Sequence, residues 1–115
     1  MSTTSAEGAT SSGTGRTVQL RRYVLVEGVL DEFTSWWQSF LVPARRAYGF
    51  AIEFSYALPE TNEFVWAVSL PGDEEAFRAV EADYLASPER AAAFDGQPTW
   101  TTSQVVGLVR EVPAP

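Results

Sequence analysis

The sequence contains no cysteine and no histidine, and all eight of its basic residues are arginine. Without cysteine there is no disulfide, no thiolate nucleophile and no CxxC metal site. Without histidine there is no imidazole base and no proximal haem ligand, and without lysine no Schiff base. General-base work therefore falls to a carboxylate, unless a tyrosinate or the substrate itself supplies it. Positive charge is also scarce, since eight arginines face fifteen acids for a formal net charge of −7. A nucleic-acid or anionic-membrane partner needs a basic patch, so neither is expected. No apolar run is long enough to span a bilayer, and no stretch has the layout of a signal peptide or mitochondrial presequence, so a cytoplasmic location is expected.

The 115 residues are enough for one domain. Residues 1–16 are mostly Ser, Thr, Gly and Ala, the composition of a flexible tail, which leaves a folded domain over 17–112 and a short C-terminal tail over 113–115. From Leu30, the residues Phe33, Trp37, Phe40, Leu41, Ala44, Ala47 and Tyr48 recur at the spacing that lines one face of a helix. Asp31 and Glu32 in its first turn and Arg45 and Arg46 in its last suit the helix dipole, and Gly49 is placed to end it. Pro43 cannot donate to the carbonyl of Ser39, which predicts a kink near 39–43 and a freed carbonyl. Trp36 and Trp37 diverge by about 100° on a helix, so one of them is expected at a cavity mouth or against a partner.

Strand patterns surround this helix. Thr17–Glu27 alternates, with Val18, Leu20, Arg22, Val24 and Val26 on one face and Gln19, Arg21, Tyr23 and Leu25 on the other. Residues 50–58 place Phe50, Ile52, Phe54, Tyr56 and Leu58 on one face and Ala51, Glu53, Ser55 and Ala57 opposite. Pro59–Asn62 is a turn of hairpin length leading into a strand over 63–70. Asp73 caps a second helix, Ser87-Pro88 opens a short third one, and residues 100–112 form the last strand. The cluster Asp73-Glu74-Glu75 is explained by capping, so no metal site is expected there. The order β-α-β-β-α-β predicts an α+β fold, the ferredoxin-like split βαβ sandwich, an antiparallel sheet with its helices on one face. Apolar residues on both strand faces predict that a second copy covers the bare side.

The residues Leu20-Arg21-Arg22-Tyr23, Gly28, Phe33, Trp37, Pro43, Arg45-Arg46, Gly49-Phe50 and Asn62-Glu63-Phe64-Val65-Trp66 together resemble the NIPSNAP family. The resemblance covers roughly residues 18–110. It implies a protomer of the dimeric α/β-barrel superfamily, whose members include cofactor-independent monooxygenases, cyclases and decarboxylases, haem-degrading enzymes and non-catalytic ligand binders. The chain departs from the family at Glu27-Gly28, where Pro-Gly is frequent, and at Ser87-Pro88-Glu89-Arg90, where Asp-Pro-x-Trp is frequent.

Within such a protomer a cavity between the helices and the sheet is the expected site. Glu53, in mid-strand among the small residues Ala51, Ser55 and Ala57, is the candidate general base, with Arg22 and Tyr23 as the other catalytic candidates. Arg21, Trp37, Phe40, Tyr48, Tyr56 and Trp66 are candidate substrate-binding residues, although a carboxylate paired to a neighbouring arginine and aromatics packed in a core explain the same pattern. The expected function is that of a cofactor-independent enzyme of specialised metabolism acting on a small apolar or aromatic, polyketide-like oxygenated substrate. Its reaction would be proton-transfer cyclisation or isomerisation, or substrate-assisted oxygenation, with no cofactor and no metal. The alternative is a non-catalytic small-ligand-binding or interaction protein on the same homodimeric barrel.

Overall fold

The computed structural model describes residues 15–115; the expected tail over 1–14 lies outside the described residues. Arg16, assigned to that tail by composition, instead opens the first strand. Four strands, β1 (Arg16–Leu25), β2 (Ala51–Leu58), β3 (Glu63–Pro71) and β4 (Thr101–Val109), form one sheet in the order β2-β3-β1-β4 with every neighbour antiparallel. The β1-to-β2 connection carries α1 (Leu30–Trp36), a π-helical turn (Trp37–Leu41) and α2 (Val42–Ala47), and the β3-to-β4 connection carries α3 (Glu74–Leu85) and α4 (Pro88–Phe94). This is the ferredoxin-like arrangement. Asp73 accepts from the Ala76 amide at the start of α3, and Ser87 accepts from the Arg90 amide at the start of α4, so both helices begin where the capping residues place them.

The helices cover the face of the sheet that carries Gln19, Tyr23 and Leu25 of β1 and Phe64, Trp66, Val68 and Leu70 of β3, all of them buried. The core is largely aromatic. Phe33 packs on Tyr23, Phe64 and Trp100, and Trp37 packs on Phe64 and Trp66, with ring centroids 5.0–6.0 Å apart. The β2–β3 hairpin closes through Asn62, which takes a left-handed φ of 58° and whose side-chain amide donates to the carbonyls of Leu25 and Val26, tying the turn to β1.

Two local irregularities change what the alternation predicts. In β2 the register slips between Ile52 and Phe54, so Glu53 is an extra, unpaired residue. A bulge reverses the alternation beyond it. Ile52, Ser55 and Ala57 share the helix-covered face with their partners Val68, Trp66 and Phe64, whereas Phe54 and Tyr56 fall opposite Ala67 and Val65 on the bare face.

The second irregularity is the predicted kink at Pro43. It takes the form of a π turn, in which the Val42 amide donates to Trp37 and Pro43 follows as the second residue of α2. The backbone stays helical through both junctions. Both tryptophans are buried, because the helix is flanked on two sides, and Trp36 also lines a surface groove. Trp37 faces the sheet, while Trp36 stacks on Trp100, meets Phe94 and donates from Nε1 to the Ala93 carbonyl, 2.9 Å away.

Candidate functional site

Polar groups gather where the middle of the sheet meets α2 and α3. Arg21 lies on the helix-covered face of β1; its Nε donates to the Tyr23 hydroxyl and its Nη1 to Gln19 Oε1, both at 2.7 Å. Gln19 in turn donates to Glu81 of α3 at 2.9 Å, and Glu81 lies 3.9 Å from Arg21. Gln19, Arg21 and Tyr23 reach the same space because they alternate along one strand. Glu81 faces them because it stands one turn from Tyr84 on the buried stripe of α3.

Arg45 of α2 is the centre of this region. Only 3% of its surface is exposed, and its guanidinium lies 4.3 Å from the Tyr84 ring, 4.7 Å from Phe50 and 5.6 Å from Trp66. Such faces attract a cation. They offer no acceptor, however: Nε and Nη1 of Arg45 have no hydrogen-bond partner among the described residues, and neither do Trp37 Nε1, Trp66 Nε1 or the Tyr84 hydroxyl. Burial, and secondarily the charge of Arg21, lowers the Arg45 pKa to about 10. Burial also raises that of Tyr84, so its phenol stays protonated. At the rim, Tyr48 meets the Tyr84 ring edge-on and donates to Glu89 at 3.0 Å; this bond is the main cause of its raised pKa.

The structure brings Arg21, Tyr23, Trp37 and Trp66 together in this region and puts Tyr48 at its edge. The other expected site residues lie elsewhere. Glu53 is not between the first helix and the sheet: it follows Ala51 onto the bare face, where Ser69 donates to it at 2.6 Å and Arg16 at 3.1 Å. Arg22 also faces the bare side, 2.9 Å from Glu63, because it is one residue out of phase with Arg21. Tyr56 is on that side too, 65% exposed against Phe54. Phe40, 55% exposed, borders a surface groove of about 480 Å³ that also involves Asp31, Glu32, Trp36 and Trp100. The π turn carries Phe40 off the buried stripe.

Arg45, Tyr84, Gln19 and Glu81 were not expected in the site. The signal for Arg45 was present, since Phe33, Trp37, Leu41 and Arg45 fall at successive four-residue steps, an arginine continuing an apolar stripe. Its place beside Arg46 in the last turn also suits the helix dipole, which accounts for a cation there without a site. Among the described residues no group of three or more acids could hold a metal ion, and no helix is long and apolar enough to cross a membrane.

Solved structures share this architecture. A NIPSNAP domain protein from Burkholderia xenovorans superposes with a TM-score of 0.71 at 19% identity, over 85% of this chain and 94% of that one. A second, NIPSNAP-like protein from the same organism gives 0.73 at 17% identity, over 88% and 92%. The fold is that of NIPSNAP-domain proteins. The family resemblance read from the sequence is thus matched in three dimensions, over most of the chain. The NIPSNAP-type fold extends to a more distant structure, described as a candidate antibiotic biosynthesis monooxygenase from Bacteroides thetaiotaomicron, with a TM-score of 0.59 at 14% identity over 89% and 92% of the chains. No protein-family model matches the sequence, and comparison with curated proteins finds no relative.

Proposed function

We infer that this chain is a small-molecule-binding protein that takes an apolar or aromatic oxygenated ligand between its helices and its sheet, and that it works as a homodimer. The observation that carries this reading is the donor-rich, acceptor-poor interior around Arg45, Trp66 and Tyr84. Buried N–H and O–H groups without acceptors are costly, and functional sites are where folded proteins keep them. A ligand bearing oxygen acceptors supplies what the protein leaves out, while Phe50, Tyr84 and Trp66 supply flat surfaces for its apolar part. In this reading Arg21 and Tyr23 orient the ligand, Trp37 and Trp66 contact its apolar part, and Tyr48 borders the entrance.

A second reading, cofactor-independent proton transfer or oxygenation in the same place, is favoured by one feature: a carboxylate, Glu81, belongs to the same network as Arg21. The base of such an enzyme is then Glu81 and not Glu53, which is directed away and held by Arg16 and Ser69. Binding is the stronger reading because Glu81 is already engaged by Gln19. Titrating the full chain with phenylacetamide and benzamide while following tryptophan fluorescence tests it. Saturable quenching lost in Trp66→Leu supports an internal site; quenching unchanged by that substitution overturns it.

A further inference from the structure

The helix-covered interior does not balance in charge. On that side of the sheet stand Arg21 and Arg45, and the carboxylate whose charge reaches both is Glu81. Glu81 accepts from Gln19 and lies 3.9 Å from Arg21, so its charge is used there. Glu53 and Glu63 are on the other face with Arg16 and Arg22 as partners. Glu89, at the rim, accepts from Tyr48. Among the described residues Arg45 has no ion-pair partner of its own, while it is almost wholly removed from water.

Aromatic faces reduce the cost of that arrangement without neutralising it. A guanidinium offers a planar fork of donors, and its strongest partner is a planar anion gripped through two oxygens. The unpartnered groups around it are N–H and O–H donors as well. Both the missing charge and the missing acceptors therefore describe one kind of group.

We propose that the ligand of this interior is an anion, a carboxylate or enolate on an apolar or aromatic frame, and that Arg45 holds its charged oxygens. This rests on the ligand-binding reading above and narrows it. Negative charge on the ligand gives Arg45 the counter-charge that Glu81 gives Arg21. Tyr84, kept protonated by burial, is a donor for the same oxygens. Arg21, with Nε and Nη1 engaged by Tyr23 and Gln19, cannot offer the same two-nitrogen fork and orients the ligand from beside it.

The experiment is calorimetric titration of the full chain with phenylacetate and with its neutral isostere phenylacetamide. The expected result is that phenylacetate binds wild-type protein at least about tenfold more tightly, as a charge-assisted bidentate contact implies. In Arg45→Met the preference disappears, acid and amide binding with similar affinity; in Arg45→Lys part of the preference returns, because a point charge replaces the fork. Equal affinity for acid and amide overturns the anion assignment and leaves the ligand-binding reading standing. Binding of neither overturns that reading and this inference together. A preference for the acid that survives Arg45→Met removes Arg45 as its holder. The wild-type comparison needs no variant, and near-ultraviolet circular dichroism establishes that the variants keep the aromatic core.

Discussion

A buried guanidinium without a carboxylate is a cost to the fold, and Arg45 lets that cost be measured. Its folded pKa, about 10, lies well below the ordinary arginine value. The native state therefore holds this proton less readily than the unfolded chain, and the penalty is fully present at neutral pH, easing as pH rises through about 10. In ligand-free protein at pH 7, Arg45→Met is expected to raise the unfolding free energy by about 1–3 kcal/mol, as when buried charge is exchanged for apolar volume. Urea denaturation reads this. A loss of stability instead means that stacking on Tyr84 and Phe50 outweighs desolvation. Tyr48 has the opposite sign: its pKa is raised from 10 chiefly by the bond to Glu89, so that bond contributes below pH 10 and is lost as pH climbs through the folded value. The stability difference between wild type and Tyr48→Phe is expected to be constant from about pH 7 to 9 and to close above pH 10, with Tyr84 common to both proteins.

The elements were legible where their periodicity is uninterrupted. The β-α-β-β-α-β order, the capping residues Asp73 and Ser87 and the two faces of β1 all follow from spacing and turn chemistry. What spacing cannot show is a change of phase. Glu53 in β2 and the π turn over Trp37–Leu41 each insert one residue into an otherwise regular pattern. An inserted residue looks like any other residue in one sequence, yet it turns everything beyond it to a new direction. That is why Tyr56 and Phe40 were expected in the interior and lie outside it, whereas Arg21, Tyr23, Trp37 and Trp66, reached before any slip or on β3, lie within it; Glu53 and Arg22 are outside by plain alternation, on the face of Ala51 and Val24. The bulge also permits a strong test. Because Glu53 is unpaired, deleting it should leave Phe54 opposite Ala67 and every later pair intact, at a cost of about 1–2 kcal/mol for the lost contacts to Arg16 and Ser69. Urea denaturation measures the cost, and backbone NMR contacts between β2 and β3 report the register; a shift of Tyr56 away from Val65 contradicts it.

The sheet has one covered face and one bare one, and the bare face is built like an interface. Val18, Leu20 and Val24 of β1 lie there beside Val65 and Ala67 of β3, Phe54 and Tyr56 of β2 and Val105 and Val109 of β4. Val105 is 68% exposed and Tyr56 65%, yet they are continuous with strand positions already sheltered by their neighbours. Apolar area of this extent on a small domain is the mark of a surface that another body covers. Its charges do not oppose a second copy, since Arg22 with Glu63 and Arg16 with Glu53 are already paired within the sheet. We expect two copies to meet through this face across a twofold axis, burying on the order of 1,600 Å² in total. Sedimentation equilibrium at micromolar concentration should then show a dimer, and thermal unfolding should rise with protein concentration. Val105→Asp puts a charge at each of the two symmetry-related positions while leaving the helix-covered core untouched. It is expected to weaken association by about 100-fold or more, roughly 3 kcal/mol, without loss of the monomer's near-ultraviolet signal. A wild-type protein that sediments as a monomer, or a Val105→Asp dimer of unchanged affinity, shows that the bare face has a different partner.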